Sequence, residues 1–124
     1  MSHFTIVALL YICVKALTDI PTIPGSIPEE IGYLSKLRTL LLANNGIGGS
    51  IPSGIGLLSN LVTLDLSNNQ IEGSIPTELA GLKKIKTINV NDNKLTGEVP
   101  EGFKDIDMLD LNVDNNNLSV FGTF

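Results

Sequence analysis

The chain has 124 residues, 43% of them hydrophobic, 17% charged and 5% aromatic, with a formal net charge of −5. That length holds one domain or a piece of a larger one, and 19 Leu, 14 Ile and 7 Val are too many for a disordered chain. A single cysteine, Cys13, and a single histidine, His3, exclude an internal disulfide framework and a Cys/His zinc set, so no metal or other cofactor is expected.

The first segment, residues 1–24, has two readings. Residues 4–14, FTIVALLYICV, are too short an apolar run to span a bilayer but have the length of a secretory h-region, with Val14-Lys15-Ala16 as a tolerable cleavage site. Against this, no Lys or Arg precedes Phe4, and Lys15 follows the run directly. The rival reading is a degenerate capping coil. Val7, Leu10, Cys13, Ala16, Thr18, Ile23 and Gly25 stand 24 residues before Ile31, Leu34, Leu37, Leu40, Leu42, Ile47 and Gly49, although Pro21 then occupies the place of Asn45.

From residue 25 onward a period of 24 organises the chain. Ile27-Pro28, Ile51-Pro52, Ile75-Pro76 and Val99-Pro100 recur at that spacing, with Gly49, Gly73 and Gly97 just ahead of the last three pairs. Short helical turns are expected after each proline, over Glu29–Leu34, Ser53–Leu58, Thr77–Leu82 and Glu101–Ile106, with apolar pairs at i,i+3 facing inward. Next come short strands at Leu40–Leu42, Leu64–Leu66, Ile88–Val90 and Leu111–Val113. There the LxL step puts two apolar side chains on one face. Asn45, Asn69, Asn93 and Asn116 follow the strands, where the chain bends inward. They read as a structural ladder, because an asparagine carries both donors and acceptors for backbone groups that strand pairing leaves over. The fourth coil is one residue short, the deletion falling between Ile106 and Met108.

Each coil therefore reads LxxLxLxxNxIxGxIPxxIxxL, which resembles the plant-type leucine-rich repeat family over residues 25–118. The resemblance implies an α/β solenoid: a right-handed superhelix of about four 24-residue coils, with parallel strands on the concave face and helical or 3-10 turns on the convex side. It also implies kinship with ectodomains of receptor-like kinases, receptor-like proteins and small secreted inhibitors. The expected function is recognition of a protein or peptide ligand in signalling, possible neighbours being leucine-rich coils of a longer chain. A secreted or cell-surface location is favoured by the same resemblance, a cytoplasmic one being the alternative.

The positions left free on the strands define a candidate ligand face: Arg38, Thr39 and Leu41 in the first coil, Thr63, Asp65 and Ser67 in the second, Lys86, Asn89 and Asn91 in the third, and Asp110, Asn112 and Asp114 in the fourth. Its charge runs from basic to acidic, and residues 98–124 carry six acidic groups against Lys104. With no basic stripe or stacking aromatics, nucleic acid is a poor partner. No nucleophile elbow, HExxH helix or phosphate loop is present, and carboxylates on a wetted sheet face lack the environment acid–base work requires, so no enzymatic activity is expected. Asn117-Leu118-Ser119 matches a glycosylation acceptor, and residues 119–124 read as a tail: either Val120, Phe121 and Phe124 cover the apolar end, or the chain is a fragment of a longer array, the second reading being favoured. The alternative function is a scaffold segment with no ligand of its own.

Overall fold

The computed structural model describes residues 25–107 and 109–119. The leader or capping coil expected over residues 1–24, and the tail from Val120, lie outside the described residues.

Each proline opens a single 3-10 turn: Glu29–Tyr33, Ser53–Leu57, Thr77–Gly81 and Glu101–Asp105. The prolines sit in extended geometry, from φ −77° at Pro28 to φ −53° at Pro100, and the chain leaves the helical region again at Leu34, Leu58, Leu82 and Ile106. The turns are therefore one residue shorter than the sequence pattern suggests. Each ends on one backbone bond, such as Leu58 N–H to the Ile55 carbonyl at 3.0 Å, because 3-10 geometry seldom continues beyond a turn.

Successive turns touch through glycine. A Cβ placed on Gly54 would collide with the Glu29 carbonyl oxygen. The Glu29 carboxylate then reaches across to the second turn, where Oε2 accepts from the Gly54 N–H at 2.7 Å and Oε1 from the Ser53 N–H at 3.2 Å. One coil thus satisfies the unpaired donors that begin the next coil's helical turn.

Strands β1 (Thr39–Leu41), β2 (Thr63–Asp65), β4 (Thr87–Asn89) and β6 (Asp110–Asn112) form a parallel sheet in the order β1-β2-β4-β6. The sequence pattern placed each of them one residue later. Pairing does extend by one bond beyond the strand, as in Leu42 N–H to the Asp65 carbonyl at 2.8 Å, but the chain then turns. The turn is made by Asn44, Asn68, Asp92 and Asn115, which hold φ of 61°, 55°, 59° and 57°. Asn and Asp are the non-glycine residues that tolerate this left-handed region best.

A second parallel sheet, absent from the sequence reading, joins β3 (Glu72–Gly73), β5 (Lys94–Glu98) and β7 (Asn117–Ser119). Isolated bridges Ser26 to Gly48 and Ser50 to Glu72 extend its line toward the first coil. Gly49, Gly73 and Gly97 hold φ of 69°, 79° and 80° along this line, and a Cβ on Gly49 would stand 2.6 Å from the Ser26 Cβ. Because Glu98 pairs with Ser119, β7 runs one residue into the segment expected to be tail.

The core lies between the two sheets and the 3-10 turns. Leu40, Leu64 and Ile88 are fully buried, as are Leu42, Leu66 and Val90. In the last coil the corresponding Leu111 and Val113 are only half-buried. Burying one such side chain contributes about 1.5–3 kcal/mol, so the central coils hold most of the apolar stabilisation.

Candidate functional site

Parallel register fixes the rows of the strand face. Thr39, Thr63, Thr87 and Asp110 stand in one line, and Leu41, Asp65, Asn89 and Asn112 in another. The two neighbours of each inward strand residue point away from the core, which is why Leu40 is buried while Thr39 and Leu41 are half-exposed. Arg38 and Lys86 stand exposed where the strands begin, and Asp110 and Asp114 stand exposed on the last coil.

Not every expected side chain remains available on this face. Ser67 is 7% exposed, and its hydroxyl donates to Asp65 Oδ1 at 2.6 Å while its N–H donates to the same oxygen at 3.0 Å. Ser67 therefore drops out of the exposed set, and one Asp65 oxygen is occupied in holding the turn. Asn91 Nδ2 donates to Asp92 Oδ2 at 2.7 Å, and Asn112 Oδ1 accepts from the Asp114 N–H at 3.1 Å. What the fold leaves for a visitor is mainly Arg38, Lys86, Asp110 and Asp114, with Thr39, Leu41, Thr63 and Asn89 between them.

Behind the face, Asn69 Oδ1 accepts from the N–H groups of Asn45 and Ile47, both at 3.0 Å. Its Nδ2 donates to the carbonyls of Leu42 and Leu66 at 3.0 Å and of Ser67 at 3.1 Å. Asn93 repeats this one coil later, accepting from Ile71 and donating to Leu66, Val90 and Asn91; Asn116 accepts from Leu95 and donates to Val90, Val113 and Asp114. Asn45, at the first described coil, donates to the Ala43 carbonyl, and its buried Oδ1 has no partner among the described residues. These bonds fix the height at which each strand leaves its neighbour, and so the spacing of the rows.

The sequon asparagine Asn117 is exposed, but it lies in β7, in register with Thr96, rather than in a loop. The left-handed row of Asn44, Asn68, Asp92 and Asn115 lies outside the apolar pattern of the repeat, and its signal in the sequence is the recurring Asn-Asn or Asp-Asn pair before each inward bend. No helix among the described residues is long and apolar enough to cross a membrane.

A family model described as leucine rich repeat matches residues 35–95. Residues 35–95 are leucine-rich repeats of this family. Among solved structures, the leucine-rich ectodomain of the plant membrane receptor kinase GASSHO1/SCHENGEN3 from Arabidopsis thaliana, in complex with CASPARIAN STRIP INTEGRITY FACTOR 2, is 35% identical with a TM-score of 0.73. That match covers 76% of this chain and 11% of the receptor. The PEPR1–AtPEP1 structure is 38% identical with a TM-score of 0.74, over 76% of this chain and 13% of the other. The BIR3–SERK2 complex from Arabidopsis thaliana is 41% identical with a TM-score of 0.70, over 76% of this chain and 51% of the other. The leucine-rich chain thus spans between about a tenth and a half of these relatives' lengths. No curated protein sequence matched it.

Proposed function

We propose that this leucine-rich repeat chain is a non-catalytic recognition module whose strand face receives a protein or peptide ligand. The observation that carries the reading is the in-register face itself. Four parallel strands carry exposed Arg38 beside the first strand, Lys86 beside the third and Asp110 and Asp114 on the fourth, on positions the core does not use. Solved relatives of the same fold include the Arabidopsis receptor kinase HAESA in complex with the peptide hormone IDA, which supports the class of ligand. The recognition domain is taken as residues 25–118, coiled with the right hand that parallel crossovers almost always adopt.

Size limits the strength of the contact. Strands spaced about 4.8 Å apart make four of them span about 15 Å, and the dozen side chains of the face fall short of the roughly 20–30 that stable interfaces use. The face therefore binds weakly alone and works as one part of a wider surface completed by neighbouring coils or a co-receptor.

The test is charge reversal. Replacing Asp110 and Asp114 with Lys should weaken binding of a blocked Arg/Lys-rich octapeptide about tenfold or turn the preference toward an acidic one, measured by calorimetry on the full chain. Equal affinity before and after reversal removes the acidic end from the site. Absence of saturable binding by either peptide returns the chain to a scaffold role.

A further inference from the structure

A one-residue deletion in the fourth coil lies beside a second candidate site. Five residues join the 3-10 turn to the strand in each of the first three coils (34–38, 58–62 and 82–86), but only four do so in the fourth (106–109). The shortened connection leaves either Lys83 or Lys84 without a counterpart, and a cleft of about 620 Å³ lies between the third and fourth coils at this edge. Its floor is aliphatic, with Leu82 and Ile85 buried and Ile106 half-buried.

The two lips carry opposite charge. Lys83 and Lys86 are exposed on one side, Asp105 and Asp107 on the other. Lys84 belongs to the same lip but is turned toward the second coil, its Nζ donating to Asn60 Oδ1 at 2.9 Å. Among the described residues no ion pair joins Lys83 or Lys86 to Asp105 or Asp107. Opposite charges that face each other across a gap without closing it offer both halves of two salt bridges to whatever enters.

We infer that this cleft receives an extended segment of a partner protein that carries an acidic and a basic side chain close together, the acidic one against Lys83 and Lys86 and the basic one against Asp105 and Asp107. Ligands of a single charge gain at one lip and lose at the other. A metal ion meets the lysines, and a nucleic acid strand meets the aspartates. An open groove with charged walls and an aliphatic floor also suits a peptide chain better than an enclosed small molecule, whose pockets are mostly apolar. The site adjoins the strand face at Lys86 but does not use Asp110 or Asp114, so it stands or falls separately from that face.

The probes are the acetylated, amidated peptide Glu-Ala-Lys-Ala and its all-acidic and all-basic analogues, titrated by nuclear magnetic resonance into the isotope-labelled full chain at low ionic strength. The mixed peptide should shift amides within 82–86 and 105–107 and bind at least about threefold tighter than either analogue, the size expected for exposed ion pairs. Lys83→Glu should move the preference toward the all-basic peptide, and the double change Asp105→Lys with Asp107→Lys toward the all-acidic one. Both variants alter exposed positions, and Lys36→Glu, exposed on the first coil outside both sites, should leave the ranking unchanged. Equal affinities for all three peptides, shifts confined to the strand rows, or a ranking untouched by Lys83→Glu would each overturn the assignment.

Discussion

At Asn69 five hydrogen bonds converge on one side chain that is 4% exposed. No other residue type of that size offers two donors and a two-lone-pair acceptor in one plane, so neither Asp nor Leu can replace it. Leaving a buried polar group unsatisfied costs about 1–3 kcal/mol, and Asn69→Ala strands several at once. Asn69→Ala should therefore lower unfolding stability by about 3 kcal/mol or more, read from urea denaturation. Asn116→Ala, at the half-exposed end where water can substitute, should cost about 1 kcal/mol. Equal losses at the two positions would mean that the ladder is not graded by burial. The asparagines were legible as inward hydrogen-bonding residues from their spacing, but the identity of each partner was not. Which carbonyl lies within reach depends on how far one coil is displaced from the next.

The elements themselves are short, and they persist only through their neighbours. A single 3-10 turn or a three-residue strand has no independent stability, because nucleating it costs more than its few bonds return. Contact between coils supplies the difference, and at the convex side that contact is made through glycine. Gly54→Ala should destabilise the chain by about 1–3 kcal/mol through overlap with the Glu29 carbonyl oxygen, and should weaken the capping bond from the Glu29 carboxylate. Gly46→Ala offers the contrast. Nothing lies within 4 Å of a Cβ there, so only the positive φ of 65° opposes it, at about 1 kcal/mol. Thermal unfolding of the two variants separates steric from conformational cost, and a smaller loss for Gly54→Ala than for Gly46→Ala would contradict the close packing of the turns. The repeat announced the 3-10 turns and the first sheet, displaced by one residue. It concealed the second sheet, because Glu72–Gly73 and Lys94–Glu98 lack the alternation that marks a half-buried strand.

For the whole molecule, stacking makes stability depend on position along the array. Leu64 is fully buried between coils, whereas Leu111 is half-buried on the last strand of its sheet. Leu64→Ala should cost about 2–5 kcal/mol and Leu111→Ala roughly half as much, with chemical denaturation as the measure. A uniform cost would argue against a linear array. The same geometry bears on the proposed ligand binding. Because the strand-face charges stand in solvent, binding there should weaken as salt is raised from about 0.05 to 0.5 M, where the screening length drops to a few ångströms. Salt-independent binding would point to apolar contacts instead of the charged rows.

The sequence by itself determined the period, the residues that face inward, the rows of the strand face and the basic-to-acidic gradient along it, since each follows from side-chain alternation repeated at a fixed spacing. Only the tertiary structure decided which of those outward residues remain available. Ser67 and one Asp65 oxygen are spent on the turn, Asn91 and Asn112 are held by their neighbours, and a cleft lined by Lys83 and Asp107 lies between the third and fourth coils. The physical reason is that a pattern fixes the direction a side chain takes from its own backbone. What it meets there is set by the offset between coils, a distance that no single coil encodes.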